Sequence, residues 1–502
     1  MGAEVTRVNG PLVETSGMRG TAMNDVVELG PARLPGEIVA LEGDAATVQA
    51  YEYTGGLAPG APAATTGRAL SAPLGPHLLG GVFDGLLRPL SDAGVWLDPS
   101  TRAAQADARR TEYWPVRRPR PYAERLDADT PLHTGQRVID LLFPVPFGGT
   151  VAVPGGFGTG KTMLLQQVAK WCDADVIVYV GCGERGNEMA DVLEELAELD
   201  DPRTGGRLAD RTVVIANTSN MPMMAREAGV HSGVTVAEYF RDQGRDAVVI
   251  ADSTSRWAEA LREFASRAGE LPGEEGYPAA LPSALAAFYE RAGRVRTRDG
   301  AEGSVTVIGA VSPPGGDMTE PVTAYTERFV RARWSLDKDL AYSRHYPAVS
   351  WSGSFARDVP VLARSHAAAG DPEWAHRRAR TAGLLAEADR LTALAELVGT
   401  ATLPAAERVT LVAGRLLREG VLQQSALSPN DASCTPERTA ALTDAVLAVV
   451  DRCQDLAGRG VAASAIEDLD YSPLVRARED ARTAADVRER RDTILSRLDG
   501  LP

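Results

Sequence analysis

Residues 150–171 constrain this chain more than any other stretch of it. The apolar run Thr150-Val151-Ala152-Val153 reads as a short buried strand, and Gly155-Gly156-Phe157-Gly158-Thr159-Gly160-Lys161-Thr162 follows at once. Residues 163–171 then carry apolar side chains at helical spacing. Strand, glycine-rich loop and helix in that order are the context in which this eight-residue pattern cradles phosphate. Glycine lets main-chain N–H groups turn inward without Cβ obstruction, and the helix N-terminus adds partial positive charge. In such a loop Lys161 reaches the β- and γ-phosphates and the Thr162 hydroxyl ligates Mg²⁺. The chain writes its positive charge almost wholly as arginine and keeps lysine only at 161, 170 and 338. A retained ammonium where the loop needs one is therefore informative, because the two cations differ in geometry. ATP or ADP with Mg²⁺ is the expected ligand, held by residues 155–162.

Two more acidic positions fit the same chemistry. The run Ala247-Val248-Val249-Ile250-Ala251-Asp252 is an apolar strand ending in a carboxylate, which makes Asp252 the candidate second anchor for Mg²⁺. The run 176–180 leads into Gly181-Cys182-Gly183-Glu184-Arg185-Gly186-Asn187-Glu188. Ligands of open parallel sheets bind beyond the carboxyl ends of the strands, so Glu184 is placed to orient or deprotonate an attacking water. Arg185 would offset charge on the phosphoryl group or tie the loop to a neighbour. Glu188, Arg256 and Arg262 are expected to line or brace the site.

At 502 residues the chain exceeds what one hydrophobic core serves. Short apolar runs at 5–8, 12–14, 26–29, 37–41 and 46–53, broken by Asn9-Gly10-Pro11, Gly30-Pro31 and Leu34-Pro35-Gly36, predict a small N-terminal β-barrel over 1–70. Residues 71–133 read as a connecting segment whose Arg- and Pro-rich part, 99–125, is a solvated or salt-bridged linker. Over 134–355, strands at 150–153, 176–180, 212–216, 247–251 and 305–311 alternate with helices, which predicts an α/β domain with a parallel sheet. Residues 356–502 are rich in Ala, Leu and Arg and predict a helical domain, with helices at 378–396, 407–424, 437–456 and 481–498.

A net charge of −15 leaves no basic footprint for nucleic acid. Cys172, Cys182, Cys434 and Cys453 are too sparse for a zinc ribbon or a disulfide framework and read as buried thiols of a reducing compartment. The six histidines show no metal-ligand spacing. No apolar run is long enough to span a bilayer, and the start MGAEVTRVNG lacks the layout of a signal peptide, so cytoplasmic residence without membrane insertion is expected.

Taken in order, GGFGTGKT, VGCGERGNEMADVL, ANTSNMPMMAREA, ADSTSRWAEALRE, PGEEGYPA and VSPPGGDMTEPVT resemble the catalytic A subunit of V-type and A-type rotary ATPases. The resemblance runs almost without break over 134–354 and more weakly over the two ends. It implies a RecA-like nucleotide domain and an alternating hexamer with B-type subunits. Each B-type subunit supplies an arginine finger to a catalytic site at its interface with the chain. It further implies central-stalk partners and attachment to a membrane sector, at the inner face of the cell membrane, that moves H⁺ or Na⁺. By motif it assigns Lys161 and Thr162 to Mg-ATP, Glu184 to catalysis, Arg185 to the γ-phosphate and Asp252 to Mg²⁺. Two departures stand out. The family carries a strand-rich insert between segments corresponding to Arg88-Pro89-Leu90 and Trp114-Pro115-Val116, which here are only 23 residues apart. Near the adenine, family aromatics give way to Val421 and Leu427, leaving Phe157 or Val421 as apolar faces for the base. A diverged, non-catalytic nucleotide-binding paralogue and a hexameric motor of another system are the alternatives.

Overall fold

The computed structural model describes residues 2–90, 111–201, 203–219 and 221–501, so the shortened insert at 91–110 lies outside the described residues. The N-terminal strands are β1 (Glu4–Asn9), β2 (Leu12–Ser16), β3 (Asp25–Leu29), β4 (Leu34–Glu42), β5 (Ala45–Ala50) and β6 (Ala63–Ala69). They form an antiparallel sheet in the order β1-β2-β5-β4-β3-β6. The Val5 N–H donates to Ala61 O at 2.8 Å and the Ala63 N–H to Ala3 O at 2.9 Å. These bonds close the sheet on itself, and Val5, Val13, Val27, Ile38 and Val48 fill its interior, as the alternation of apolar residues requires. The sixth strand, Ala-Ala-Thr-Thr-Gly-Arg-Ala, gave no sequence signal because it is largely exposed and has no apolar alternation.

The central sheet contains β7 (Val82–Phe83), β8 (Thr150–Pro154), β9 (Val176–Glu184), β10 (Thr212–Thr218), β11 (Asp246–Asp252), β12 (Gly293–Arg296), β13 (Glu302–Val311), β14 (Ala332–Arg333) and β15 (Phe355–Ala356). Its order is β15-β14-β8-β13-β11-β9-β10-β7, with β12 antiparallel to β13 and β15 antiparallel to β14. Glu124–Leu126 of the connecting segment adds an antiparallel strand on β12, and the remaining pairs are parallel. The five strands expected from sequence are all present. They are apolar throughout because both sheet faces are covered: Val176 to Gly183 are buried without exception. One face packs against α2 (Lys161–Trp171) and residues of the C-terminal helices. The other packs against α4 (Met223–Arg241), α5 (Thr254–Ala268) and α6 (Leu281–Tyr289). After β8 the chain passes over two strand positions to β9, and β11 and β13 later fill the gap. The carboxyl ends of β8, β13, β11 and β9 thus meet at one switch point.

The C-terminal domain is helical, with α7 (Trp374–Val398), α8 (Ala405–Leu417), α9 (Pro436–Gly458) and α10 (Ala484–Asp499) where helices were expected. One boundary differs. The helix expected over 407–424 stops at Leu417 and widens into a π turn, Arg418–Leu422. Arg137, at the start of α1 (Arg137–Leu142), causes the break. Its guanidinium donates to Val421 O and Gln423 O at 2.5 Å each, and its main-chain N–H donates to Gln424 Oε1 at 2.9 Å. Gln423 and Gln424 are thereby pulled off the helix axis and against the nucleotide domain.

The connecting segment is salt-bridged, as read from sequence. Arg117 reaches Glu37 of the barrel and Glu227 of α4 at 2.5 Å each. Arg120 pairs with Asp242 at 2.7 Å and Glu112 at 2.9 Å. The segment is also more embedded than a surface linker, since Thr235 Oγ1 donates to Val116 O and the Arg120 N–H to Glu238, both at 3.0 Å.

Candidate active site

The glycine-rich loop leaves β8 and enters α2 with Gly158 and Gly160 at φ of 78° and 80°, left-handed values that a side chain would strain. Gly155 and Thr159 turn away from the cleft. A Cβ on Gly155 would meet Leu336 Cβ at 2.9 Å, while Thr159 is buried and its hydroxyl donates to Gly156 O at 2.9 Å. These two shape the loop. Gly156, Phe157, Gly158, Gly160, Lys161 and Thr162 line the cavity, of about 710 Å³, which Glu184, Arg185, Glu188, Asp252, Arg256 and Ser312 complete.

Lys161 Nζ donates to Gly155 O at 2.9 Å and to Ser312 Oγ at 2.5 Å. Burial pushes its pKa down, Asp252 and Glu184 hold it up, and Arg256 adds to the lowering. The Thr162 hydroxyl donates to Asp252 Oδ2 at 3.3 Å, and the Tyr179 hydroxyl donates to the same oxygen at 3.1 Å. Asp252 is buried, and burial raises its pKa against the opposing pull of Lys161. A hydroxyl and a carboxylate this close, with no nitrogen or sulfur donor among them, are the hard oxygen set that suits Mg²⁺.

Glu184 closes β9 at the edge of the cleft. Burial, the Asp252 charge and Glu188 together push its pKa up to about 8. Two carboxyl groups whose protons are held above the ordinary range, beside a buried ammonium, are the electrostatics of a functional site. Arg185 is different: its side chain is 70% exposed and its nearest carboxylate is Glu188 at 3.8 Å, so it stands at the open rim.

Glu188 and Arg256 both line the cavity, Arg256 pairing with Glu259 at 2.9 Å. Arg262 does not line it. It lies over the Tyr277 ring, 5.0 Å from the centroid, and lines an adjoining cavity along α5 that shares Arg226 and Glu259 with this one. The expectation that Val421 offers the base an apolar face fails, because Val421 is wholly buried and its carbonyl is held by Arg137. Phe157 is 91% exposed and Leu427 93% exposed. The aromatic ring that adjoins the loop is Tyr346, whose Cε1 would lie 3.2 Å from a Cβ on Gly160 and whose carbonyl accepts from the Gln424 N–H at 2.7 Å. Neither Tyr346 nor Tyr179 carries a local sequence signal. Lys338, which also lines the cavity, had one in its rarity.

Comparison with known proteins supplies the family. The ATP synthase alpha/beta family nucleotide-binding domain matches residues 135–356, the beta-barrel domain of the same family residues 5–67, and the C-terminal domain of V and A type ATP synthase residues 365–456. The V-type ATP synthase alpha chain of Anaeromyxobacter dehalogenans is 48% identical over 87% of this chain and 88% of its own. The corresponding A-type ATP synthase chain of Thermofilum pendens, its A subunit, is 41% identical over 99% of this chain and 96% of its own. That second alignment spans 577 positions, more than the 502 residues available here, so the relative carries segments this chain lacks. This agrees with a missing insert. Among solved structures, the assembled ATPase EscN of an enteropathogenic E. coli type III secretion system superposes with a TM-score of 0.74 at 23% identity, over 89% of this chain and all of that one. At that identity the likeness speaks for the fold alone. Three consecutive domain matches and relatives aligned along nearly its whole length establish that the chain belongs to the family of V-type ATP synthase alpha chains and their A-type counterparts, the catalytic subunits of these synthases.

Proposed function

We propose that the cleft turns over Mg-ATP, with Lys161, Thr162, Glu184 and Asp252 as its working groups. The observation that carries this reading is their convergence: Lys161 joins Ser312 at 2.5 Å, Thr162 joins Asp252 at 3.3 Å, and Glu184 lines the same cavity. In this reading the loop amides and Lys161 hold the β- and γ-phosphates, and Thr162 and Asp252 hold Mg²⁺. The bound ion polarises phosphate oxygens and offsets charge as the phosphoryl group departs. Glu184 orients a water in line with the bond between the γ-phosphorus and its bridging oxygen. The water oxygen bonds to phosphorus, the bridging bond breaks, and the water proton passes to the carboxylate. Burial and Asp252 favour the protonated form of Glu184, so neutralising Asp252 on loading removes one of the causes holding that proton. Tyr346 offers the base a stacking face.

Arg185 and Phe157 stand exposed at the rim, which fits a site completed by a neighbouring subunit. We assign that place to a B-type subunit in an alternating hexamer, supplying an arginine to the transition state. Central-stalk subunits then link turnover to a membrane sector, with the chain held on the cytoplasmic side. Among the described residues no helix is long and apolar enough to cross a membrane. The test is calorimetric titration of Mg-ATP into the complex of the chain with its B-type partner. Lys161→Met should bind about 100-fold more weakly than wild type, the loss of a charge-assisted phosphate contact. Equal affinity for both would remove the basis of the reading.

A further inference from the structure

Three lysines occur in a chain that otherwise uses arginine, and two of them, Lys161 and Lys338, line one cleft. The third, Lys170, sits over the Trp171 ring at the far end of α2. Lys338 opens a short helical turn, Lys338–Tyr342. Its neighbour Asp337 is committed to the backbone, accepting from the N–H groups of Asp339 at 2.8 Å and Leu340 at 3.0 Å. The lysine side chain runs out over the phosphate loop. A Cβ on Gly156 would fall 2.8 Å from its Cε and 3.6 Å from its Nζ, and one on Gly316 would fall 3.6 Å from Nζ. The ammonium therefore hovers between the second glycine of the loop and the Pro314–Gly316 turn. Among the described residues no carboxylate pairs with it.

The geometry orders the cleft. Lys161 Nζ reaches Gly155 O, and Lys338 reaches the next residue, Gly156. Two cations set against consecutive residues of one loop leave a place where an anion is attracted by both. The loop also has a direction: Tyr346 adjoins Gly160 at the helix end, and Lys338 adjoins Gly156 at the other. A nucleotide with its base toward Tyr346 presents its terminal phosphate toward Lys338. Glu184 at the end of β9 and Lys338 beyond β14 flank that position, with Lys161 and Ser312 between them.

We infer that Lys338 is a second phosphate-binding cation of this site, taking the terminal phosphoryl group either as the γ-phosphate of ATP or as inorganic phosphate beside ADP. The inference rests on the nucleotide reading above and adds to it a residue that distinguishes triphosphate from diphosphate. Lys161 serves either nucleotide, whereas Lys338 acts only where a third phosphate is present.

The experiment uses the assembled complex carrying Lys338→Met or Lys338→Arg, and measures equilibrium binding of Mg-ATP, of Mg-ADP, and of inorganic phosphate in the presence of Mg-ADP. Lys338→Met should weaken Mg-ATP or phosphate binding about tenfold, the size of one charged hydrogen bond, while Mg-ADP stays within about twofold. Lys338→Arg should recover most of the loss. A loss confined to the ATP arm identifies the γ-phosphate, and a loss confined to the phosphate arm identifies free phosphate. An equal loss for Mg-ADP, or no loss in either arm, overturns the assignment. A wild-type complex that binds neither nucleotide would overturn the nucleotide reading itself, whereas normal wild-type binding with an unchanged Lys338→Met overturns only the role of Lys338.

Discussion

Glu184 follows eight buried residues of β9, so its carboxyl is delivered to the cleft on a strand that cannot move without disturbing the core. Burial and the Asp252 charge raise its folded pKa to about 8 from an ordinary 4.5. A carboxyl group with a raised folded pKa contributes stability that is fully present below its unfolded value and is lost as pH rises through its folded value. Glu184→Gln keeps the shape and never ionises. In nucleotide-free, metal-free protein, the variant should therefore gain thermal stability over wild type progressively from about pH 4.5 to about pH 8 and hold that gain above it. Melting curves across that range check the prediction, and a gap that shrinks with pH contradicts it. At this scale the sequence was most legible where chemistry demands contiguity. Lys161 and Thr162 sit in one motif, and Asp252 and Glu184 end strands that apolar runs announce. Tyr179, Tyr346 and Lys338 reach the site only through sheet order and the return of distant segments, which no local pattern encodes.

The same division holds for elements. The five long parallel strands of the central sheet and the four long C-terminal helices were visible because burial on both faces, or on one stripe, imposes a pattern, whereas the short strands β7, β12, β14 and β15 carry too few residues to show one. The end of α8 was not visible, because a residue 280 positions away decides it. Arg137 and Asp431 are both fully buried and form an ion pair at 2.7 Å. Asp431 Oδ2 also accepts from the Ser425 N–H at 2.8 Å and from Arg478 at 2.5 Å. This carboxylate anchors the segment carrying Gln423 and Gln424 to the loop side of the nucleotide domain, through α1. Asp431→Ala strands two guanidinium groups, one of them fully buried, and should cost about 3–5 kcal/mol in urea-induced unfolding, as breaking one side of a buried ion pair does. A loss below about 1 kcal/mol would show that the cluster contributes little to holding the segment.

Across the whole molecule, a closed barrel, a doubly covered sheet and a helical domain position one cleft whose chemistry comes from four strand ends and whose rim stays open. The barrel and the α/β domain were legible from turn spacing and strand–helix alternation. The sixth barrel strand was not, because an exposed strand of small and polar residues has no periodicity to betray it. The short connection in place of the insert leaves the residues proposed for catalysis untouched, since Lys161, Thr162, Glu184 and Asp252 all lie on the central sheet or its loops. Glu184 carries the central step of the proposed chemistry. Turnover of Mg-ATP should be measured in the complex with the B-type partner, wild type beside Glu184→Gln, with nucleotide binding measured in the same samples. The variant should bind Mg-ATP at near wild-type affinity while hydrolysis falls about 10²–10⁴-fold, the range lost with a positioned base. Equal rates of hydrolysis in the two proteins would contradict that chemistry.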